Sequence, residues 1–234
     1  GVEIEALEVA SEPGVFVPAW LFLPAGARRD PAILMLHPAG RNAEWGETAL
    51  CQSLARRGHA VCTIDVRGIG DAAPEFSRGA QRHARSHAED EDYAWASLVL
   101  GEPLLAQRVR DVVAVVNALA AHLNTQRIKV AARGALTVPA LFAAALEPRI
   151  ADLYLAGGLI SYRSIVETED YSLPFANFLP GILAHTDLPG VAASLAPRRV
   201  VLAGPVDAAD RPAPADAVAR DYAAAHITVR ERLA

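Results

Sequence analysis

The chain has 234 residues, of which 52% are apolar and 21% are charged, and its formal net charge is −5. That length suits a single domain with a full core, and the apolar share excludes a disordered chain. The negative charge excludes a broad electrostatic attraction to nucleic acid or to an anionic membrane. No apolar run reaches the roughly 20 residues that a membrane-spanning helix needs. We therefore predict one α/β domain over residues 1–234, with no nucleic-acid or membrane partner.

The first third of the chain consists of short apolar runs separated by turn signals. Strands are predicted at residues 4–9, 15–23, 32–36 and 60–66. Glu-Pro-Gly at residues 12–14 joins the first two and predicts an antiparallel hairpin. Residues 44–57 have helical character and end at Gly58. Residues 71–91 are polar and lack periodicity, which predicts a long loop.

Strands and helices alternate through the rest of the chain. The predicted helices are 104–123 and 216–225, the predicted strands are 128–130, 151–160, 199–203 and 227–230, and an insertion rich in aromatics and prolines spans 161–197. This alternation predicts a mainly parallel sheet with helices on both faces. We expect the insertion to lie over the top face of that sheet.

A strand, a sharp turn and an apolar helix are predicted to meet at residues 127–146. This is the layout of the nucleophile elbow of α/β-hydrolases, where Gly-x-Ser-x-Gly presents a serine at the top of the sheet. Aligning the helix places the motif at residues 132–136, which read Ala-Arg-Gly-Ala-Leu, with Gly134 at the nucleophile position. Glycine tolerates the strained backbone of an elbow but supplies no nucleophile. The hydroxyl of Thr137 could act only with a base beside it.

The loop at residues 37–40, His-Pro-Ala-Gly, occupies the place of an oxyanion loop. Backbone N–H groups suffice to stabilise an oxyanion, so those of Ala39 and Ala135 are the predicted oxyanion-hole donors. The alternative interpretation is an ordinary turn, because His-Pro-x-Gly is also a good turn sequence.

The acid of a catalytic triad is expected just past the strand at 199–203, where Asp207 stands and Asp210 is close. A turn or helix-capping aspartate is an equally good interpretation of Asp207. The base should be a histidine after the last strand. None is present there, and His226 precedes that strand. The sequence therefore predicts that no Ser-His-Asp triad can form.

Several polar residues are predicted at the top face: His37, Arg67, Arg133, Tyr162, His185 and Asp187. Arg133 could hold a ligand carboxylate or pair with Asp207, and Arg67 and Tyr162 are further candidates for ligand binding. If catalysis is retained, His185 or His37 acting on a bound water is the candidate base. A structural role for His185 is the alternative.

No cofactor is predicted, because the chain has neither a Gly-x-Gly-x-x-Gly motif opening a helix nor a P-loop. No metal site is predicted either. His83 and His87 have metal-ligand spacing if helical, but a solvated polar loop is the favoured interpretation. The two cysteines, Cys51 and Cys62, are interpreted as small buried apolar residues.

The residues at 11–19, 100–104, 107–111 and within 161–189 resemble the α/β-hydrolases grouped with acetyl xylan esterases and dienelactone-hydrolase-like proteins. The resemblance covers nearly the whole chain and implies an α/β-hydrolase fold with a sheet of about eight strands. Some proteins of that group carry two hydrolase-like domains, the second often with glycine in place of the nucleophilic serine. The chain is similar to such a second domain, and only Asp207 matches the family's triad by position.

Three hypotheses about the protein follow. The leading one is an esterase-related domain without serine-based catalysis, which serves as an ancillary, scaffold or ligand-binding module. Its partner would be a neighbouring catalytic hydrolase domain or a carbohydrate-type ester. The second is an ester hydrolase that uses a His-activated water, and the third is a piece of a longer protein. The Ala- and Arg-rich composition suggests a GC-rich bacterial genome, and the absence of an initiator Met leaves an extracytoplasmic location open.

Overall fold

The computed structural model describes residues 1–26, 29–74, 90–225 and 227–230. Its strands are β1 (Val2–Glu12), β2 (Val15–Pro24), β3 (Arg29–Leu36), β4 (His59–Ile64), β5 (Ile128–Arg133), β6 (Ile150–Ala156), β7 (Arg199–Ala203) and β8 (Ile227–Arg230). They form one sheet in the spatial order β1-β2-β4-β3-β5-β6-β7-β8. β1 and β2 form the predicted hairpin, and β2 pairs antiparallel with β4. The other neighbouring pairs are parallel, which confirms the prediction of a mainly parallel sheet of about eight strands.

Helices cover both faces of the sheet, as predicted. They are α1 (Leu50–Arg56), α2 (Glu91–Val99), α3 (Leu104–Leu123), α4 (Thr137–Leu146), α5 (Tyr162–Val166), α6 (Leu188–Ser194) and α7 (Ala215–Asp221). None of these helices, which are those of the described residues, is long and apolar enough to cross a lipid bilayer.

Successive residues of β4 point to opposite faces of the sheet and into different apolar clusters. Val61 packs in one cluster with Phe22, Met35 and α1, whereas Cys62 packs in the main core with α3 and α4. Buried residues on both faces give the continuous apolar runs that parallel strands show. The core is therefore divided by the sheet, with most of it on the side of α3 and α4.

The two cysteines are buried on opposite faces of the sheet, so they are not positioned to form a disulfide. Burial is the main cause that raises the pKa of the Cys51 thiol to about 12, and burial likewise raises the pKa of Cys62. Both thiols are therefore protonated and act as small apolar residues, which confirms the prediction.

One predicted helix is much shorter than expected. Residues 44–57 were predicted to be helical, but α1 begins only at Leu50. The ring of Trp45 packs against Trp20, with 4.7 Å between ring centroids, and against Phe22 at 5.6 Å. These contacts fasten the segment before α1 to the face of β2, and Gly46 further disfavours a helix there.

Part of the predicted loop at 71–91 is outside the described residues, and α2 begins at its end. The helix was missed because it lacks an apolar stripe: Trp95 and Val99 are exposed. The predicted strand 151–160 ends early, at Ala156, because Gly157 has a φ of +63° and turns the chain out of the sheet.

Glycine at position 158 is required by close packing against α4. A Cβ added there would lie 2.7 Å from the Cβ of Thr137, a distance that real contacts do not reach. We expect Gly158→Ala to lower the free energy of unfolding by about 1–3 kcal/mol, the usual cost of overpacking. Urea denaturation measures the change.

The matched control is Gly46→Ala, where the new Cβ would make only an ordinary contact with Ala49 at 3.9 Å. It should change the unfolding free energy by less than about 1 kcal/mol. Equal losses in both variants would contradict the packing explanation.

Candidate active site

The predicted elbow is present at the centre of the sheet. β5 lies between β3 and β6, and the chain passes from Arg133 through a 3-10 turn, Gly134–Leu136, directly into α4. Gly134 has a φ of +52°, in the left-handed region that favours glycine. The turn stands at the carboxyl ends of the strands, where open α/β sheets bind their ligands. The elbow therefore has its shape but no side chain at its tip.

Thr137 does not replace the missing nucleophile. Its hydroxyl donates a hydrogen bond to the carbonyl oxygen of Gly134 at 2.8 Å, and the residue is 4% exposed. Such bonds from a helix's first turn back to the preceding turn are structural.

Pro38 lies over the elbow. A Cβ built on Gly134 would approach the Cγ of Pro38 to 3.3 Å, tighter than an ordinary van der Waals contact. The ring therefore lies close to where a side chain at position 134 would begin. A residue larger than glycine there requires the ring to shift by a few tenths of an ångström.

The loop that carries Pro38 is anchored by the buried carboxylate of Asp65. This carboxylate accepts a hydrogen bond from the N–H of Arg41 at 2.6 Å and one from the N–H of Asp71 at 3.0 Å. It also forms an ion pair with the Arg41 guanidinium at 3.2 Å. Asp65 thus ties the loop after β3 to the loop after β4 at the edge of the sheet where the elbow stands.

One backbone amide of the predicted oxyanion loop is hydrogen-bonded within the loop. The N–H of Ala39 donates to Nδ1 of His37 at 3.1 Å. Ala39 is therefore not a free donor in this structure, contrary to its predicted role. The N–H of Ala135 lies in the first turn of a helix, where the helix itself supplies no acceptor. Of the two predicted oxyanion donors, the amide of Ala39 is therefore bonded within its own loop, and the amide of Ala135 has no acceptor within its helix.

Asp207 lies past the end of β7 but binds its own turn. Its carboxylate accepts from the N–H groups of Ala209 and Arg211, and the Arg211 guanidinium pairs with it at 2.8 Å. Burial acts to raise the pKa of Asp207, but the hydrogen bonds from Arg211 and Ala209 outweigh it, so that the pKa is lowered. The carboxylate is ionised and engaged, as in the turn interpretation of this residue.

A cavity of about 300 Å³ joins the elbow to Asp207. Its lining consists of Gly134, Ala135, Gly157, Leu159, Ser172, Leu173, Pro174, Val206, Asp207, Ala208 and Asp210. The described residues that line it include no histidine. The volume is at the lower end of the range for small-molecule sites. The cavity occupies the place of an active site but combines bare backbone, apolar walls and carboxylates instead of a triad.

The insertion closes over this cavity through a buried asparagine. Asn177, which is fully buried, donates from Nδ2 to the carbonyl oxygen of Ala135 at 2.7 Å. The hydroxyl of Tyr162 in turn donates to the carbonyl oxygen of Asn177 at 2.7 Å. Burial is the main cause that raises the pKa of Tyr162, with the charge of Asp187 second. Tyr162, a predicted candidate for ligand binding, is thus buried in this structure and supports the insertion.

The predicted base His185 lies away from the elbow. It is exposed and follows a 3-10 turn, Ile182–Ala184, that lines a separate apolar cavity of about 240 Å³. The neighbouring Asp187 caps the start of α6 and accepts from the N–H of Tyr162 at 2.6 Å. Neither residue lines the cavity at Gly134.

The two predicted binding arginines have different surroundings. Arg67 pairs with the buried Asp111 of α3 at 2.8 Å and with Glu12 of β1, so its guanidinium ties the loop after β4 to these two elements and is not free to bind a ligand. Arg133 is exposed and reaches Glu44 at 3.7 Å. The predicted pair between Arg133 and Asp207 does not form, because Asp207 takes Arg211.

Among the described residues, no group of three His, Cys, Asp or Glu side chains could hold a metal ion. The His83/His87 pair and His226 lie outside the described residues.

Comparison with solved structures identifies the fold. An acetyl xylan esterase from Paenibacillus sp. R4 matches with a TM-score of 0.60 at 17% identity, over 100% of this chain and 83% of that one. Dienelactone hydrolase from Anabaena variabilis ATCC 29413 matches with a TM-score of 0.57 at 15% identity, over 100% and 86% of the two chains. The chain therefore has the α/β-hydrolase fold, as its sequence predicted.

A protein of Bacteroides fragilis NCTC 9343, provisionally named an acetyl xylan esterase, matches with a TM-score of 0.76 at 14% identity. The match covers 99% of this chain but only 66% of that protein, so the chain spans just under two thirds of its length. No protein-family model matches the sequence, and no curated protein matches it.

Sequence reasoning missed the residues that shape the site without being catalytic. Asp65 ends a buried strand at the ligand-binding edge, a position that could have marked it as an organising residue. Pro38 was noted only as a member of the predicted oxyanion loop. Asn177 gave no signal, because its contact with Ala135 spans 42 residues of chain.

Two glycine substitutions separate the contact with Pro38 from backbone strain. Gly134 and Gly101 both have positive φ, +52° and +78°, but only at Gly134 does a new Cβ meet a neighbour within 4 Å. We expect Gly134→Ala to destabilise the protein more than Gly101→Ala by about 1 kcal/mol, measured by urea denaturation.

The double variant Pro38→Ala/Gly134→Ala should recover most of that difference, because the Cγ atom is then absent. A double variant whose losses simply add would show that Pro38 does not restrict position 134.

Proposed function

We propose that this chain is an esterase-related α/β-hydrolase unit that has lost serine-based hydrolysis and retains ligand binding. The observation that carries the proposal is Gly134, which holds the backbone of the nucleophile elbow at a φ of +52° with no nucleophile and with Pro38 packed above it. The ring of Pro38 comes within 3.3 Å of where a Cβ at this position would stand, so the surroundings fit a bare backbone more closely than a side chain.

The state of the other groups supports the same proposal. Ester hydrolysis needs a nucleophile, an oriented base and free oxyanion donors at the same time. Here Ala39 donates to His37, and Asp207 is engaged by Arg211. Two of the positions that a catalytic site would use, Ala39 and Asp207, are thus engaged by intramolecular partners.

Ligand binding is the role that the remaining geometry favours. The cavity of about 300 Å³ keeps apolar walls at Leu159, Leu173 and Pro174, and the exposed carboxylate of Asp210 stands at its rim. An acetylated sugar would fit this chemistry, because its acetyl group can lie on the apolar walls while its hydroxyls donate to Asp210. The esterase names of several proteins of similar fold support this ligand class. Such a unit would act beside a catalytic hydrolase domain, either as its scaffold or as a substrate-holding module.

The alternative of hydrolysis by a His-activated water has less support. His185 does not line the cavity at Gly134. His37 accepts a hydrogen bond at Nδ1, so its neutral form carries the proton on Nε2 and presents a donor instead of a base.

The first test is hydrolysis of p-nitrophenyl acetate by the wild type and by Gly134→Ser. Both should stay at the uncatalysed rate, because the described lining of the cavity includes no histidine to activate the new hydroxyl. The control is the matched Gly134→Ala variant, which carries the same backbone strain without a hydroxyl.

Turnover by the wild type that resists serine-directed inhibitors and disappears in His37→Ala or His185→Ala would overturn the proposal. Turnover only in Gly134→Ser would show that a base is present after all, and it would refute the loss of the complete triad.

The second test is binding of an acetylated xylo-oligosaccharide, measured by ligand-observed NMR and calorimetry. We expect binding without release of acetate. Asp210→Asn should weaken it by roughly threefold to tenfold, since one charge-assisted hydrogen bond at an exposed rim is lost. Asparagine tolerates the φ of +58° at this position, so the backbone is kept.

The control is Asp216→Asn, which removes an exposed carboxylate in α7 away from the cavity lining. An affinity that is unchanged in Asp210→Asn, or equally reduced in Asp216→Asn, would contradict this assignment of the ligand site.

A further inference from the structure

The hydrogen bond between Ala39 and His37 fixes the protonation state of the imidazole. The donor is a backbone N–H, so Nδ1 has to offer its lone pair at the observed 3.1 Å. A protonated imidazole carries hydrogens on both nitrogens and has no lone pair to offer. The contact therefore exists only while His37 is neutral, with its hydrogen on Nε2.

The rest of the loop does not depend on this bond. The N–H of Gly40 closes a turn on the carbonyl oxygen of His37 at 2.9 Å, and the N–H of Arg41 is held by Asp65. Loss of the imidazole contact would thus free the Ala39 amide while the two ends of the loop stay anchored.

Two charged side chains act on His37 from other parts of the fold. Arg133, at the end of β5, disfavours the imidazolium, and Glu44, in the segment before α1, favours it. Burial is the largest influence, followed by Arg133. Together they outweigh Glu44 and place the pKa of His37 below its ordinary value of 6.5.

We propose that His37 is a pH-dependent cap on the Ala39 amide, closed when the imidazole is neutral and open when it is protonated. At neutral pH the loop presents no free amide at Ala39 and no charge at His37. At acidic pH it presents both, next to the exposed guanidinium of Arg133. This device goes beyond the proposed ligand-binding function, because it concerns the oxyanion loop and not the cavity at Asp210.

The direction of the stability effect follows from the lowered pKa. Since protonation is harder in the folded protein than in the unfolded chain, the contribution of the cap is fully present above a pH of 6.5. It is lost as the pH falls below that value and through the pKa of the folded protein.

The test is an NMR titration from about pH 8 to about pH 5, the range over which a histidine changes charge. The Cε1–H shift of His37 reports its protonation, and the exchange protection of the Ala39 amide, corrected for the intrinsic exchange rate, reports the cap. Protection should fall by roughly five- to tenfold, the equivalent of one hydrogen bond, with the same midpoint as His37.

Two substitutions of His37 separate the cap from other pH effects. Asparagine accepts a hydrogen bond from the N–H two residues on and does not titrate. His37→Asn should therefore keep the amide protected across the whole range, whereas His37→Ala should leave it unprotected throughout. Each variant should show a flat profile.

Substitutions of the facing charges should move the midpoint without removing the cap. Glu44→Gln should lower it and Arg133→Gln should raise it, by the signs of their charges. The proposal would be overturned if exchange protection of the wild-type Ala39 amide did not change as His37 titrates, or if the protection persisted in His37→Ala. A titrating profile in His37→Asn would also overturn it, since another group would then control the amide.

Discussion

The buried carboxylate of Asp65 is the interaction on which the candidate site depends. It is 1% exposed and binds the loop after β3 through Arg41 and the loop after β4 through Asp71. A buried carboxylate is stable only when its lone pairs are satisfied, so both loops have to converge on it. The convergence is close: a Cβ on either Gly40 or Gly70 would come within 2.6 Å of its oxygen atoms. Both glycines also have positive φ, a backbone conformation that favours glycine. A side chain at either position would therefore clash with Asp65 and strain the backbone as well.

The position of Pro38 follows from this anchor. Because Asp65 fixes Arg41 and Gly40, the residues before them are directed over the turn between β5 and α4. Pro38 then packs above Gly134, and Ala39 turns its amide to His37. In an acyl-transfer site the same loop would leave that amide free for an oxyanion. The anchor at Asp65 is thus compatible with a catalytic loop. What differs in this protein is how the anchored residues Pro38 and Ala39 are placed.

The fold was predictable because it depends on local patterns. The alternation of strands and helices predicted a mainly parallel sheet, and the helical spacing of apolar residues predicted α3 with the bounds that the structure shows. The elbow was predictable as well, since strand, glycine turn and apolar helix follow each other in sequence. The start of α1 was not, because the packing of Trp45 on Trp20 joins segments that are distant in the chain.

The partners of the site residues were less predictable, because they depend on the conformations of the loops. Sequence position brought Asp207 to the end of β7, but its partner was set by the turn that follows, which places Arg211 on it. Arg67 was expected to face a ligand, yet Asp111 on α3 takes its guanidinium. A charged side chain near the top of a sheet has several candidate partners. Which one it binds depends on the loops, whose conformations leave little trace in a single sequence.

Loss of catalysis and retention of binding are compatible outcomes for this architecture. Serine-based catalysis requires several groups to be aligned at one point, and Gly134 supplies no nucleophile there. Binding requires only a shaped cavity with a few polar groups. Here the cavity floor is backbone at Gly134 and Gly157, and it is kept open because neither residue has a side chain to fill it. A ligand in this cavity would therefore lie directly against the backbone of the elbow.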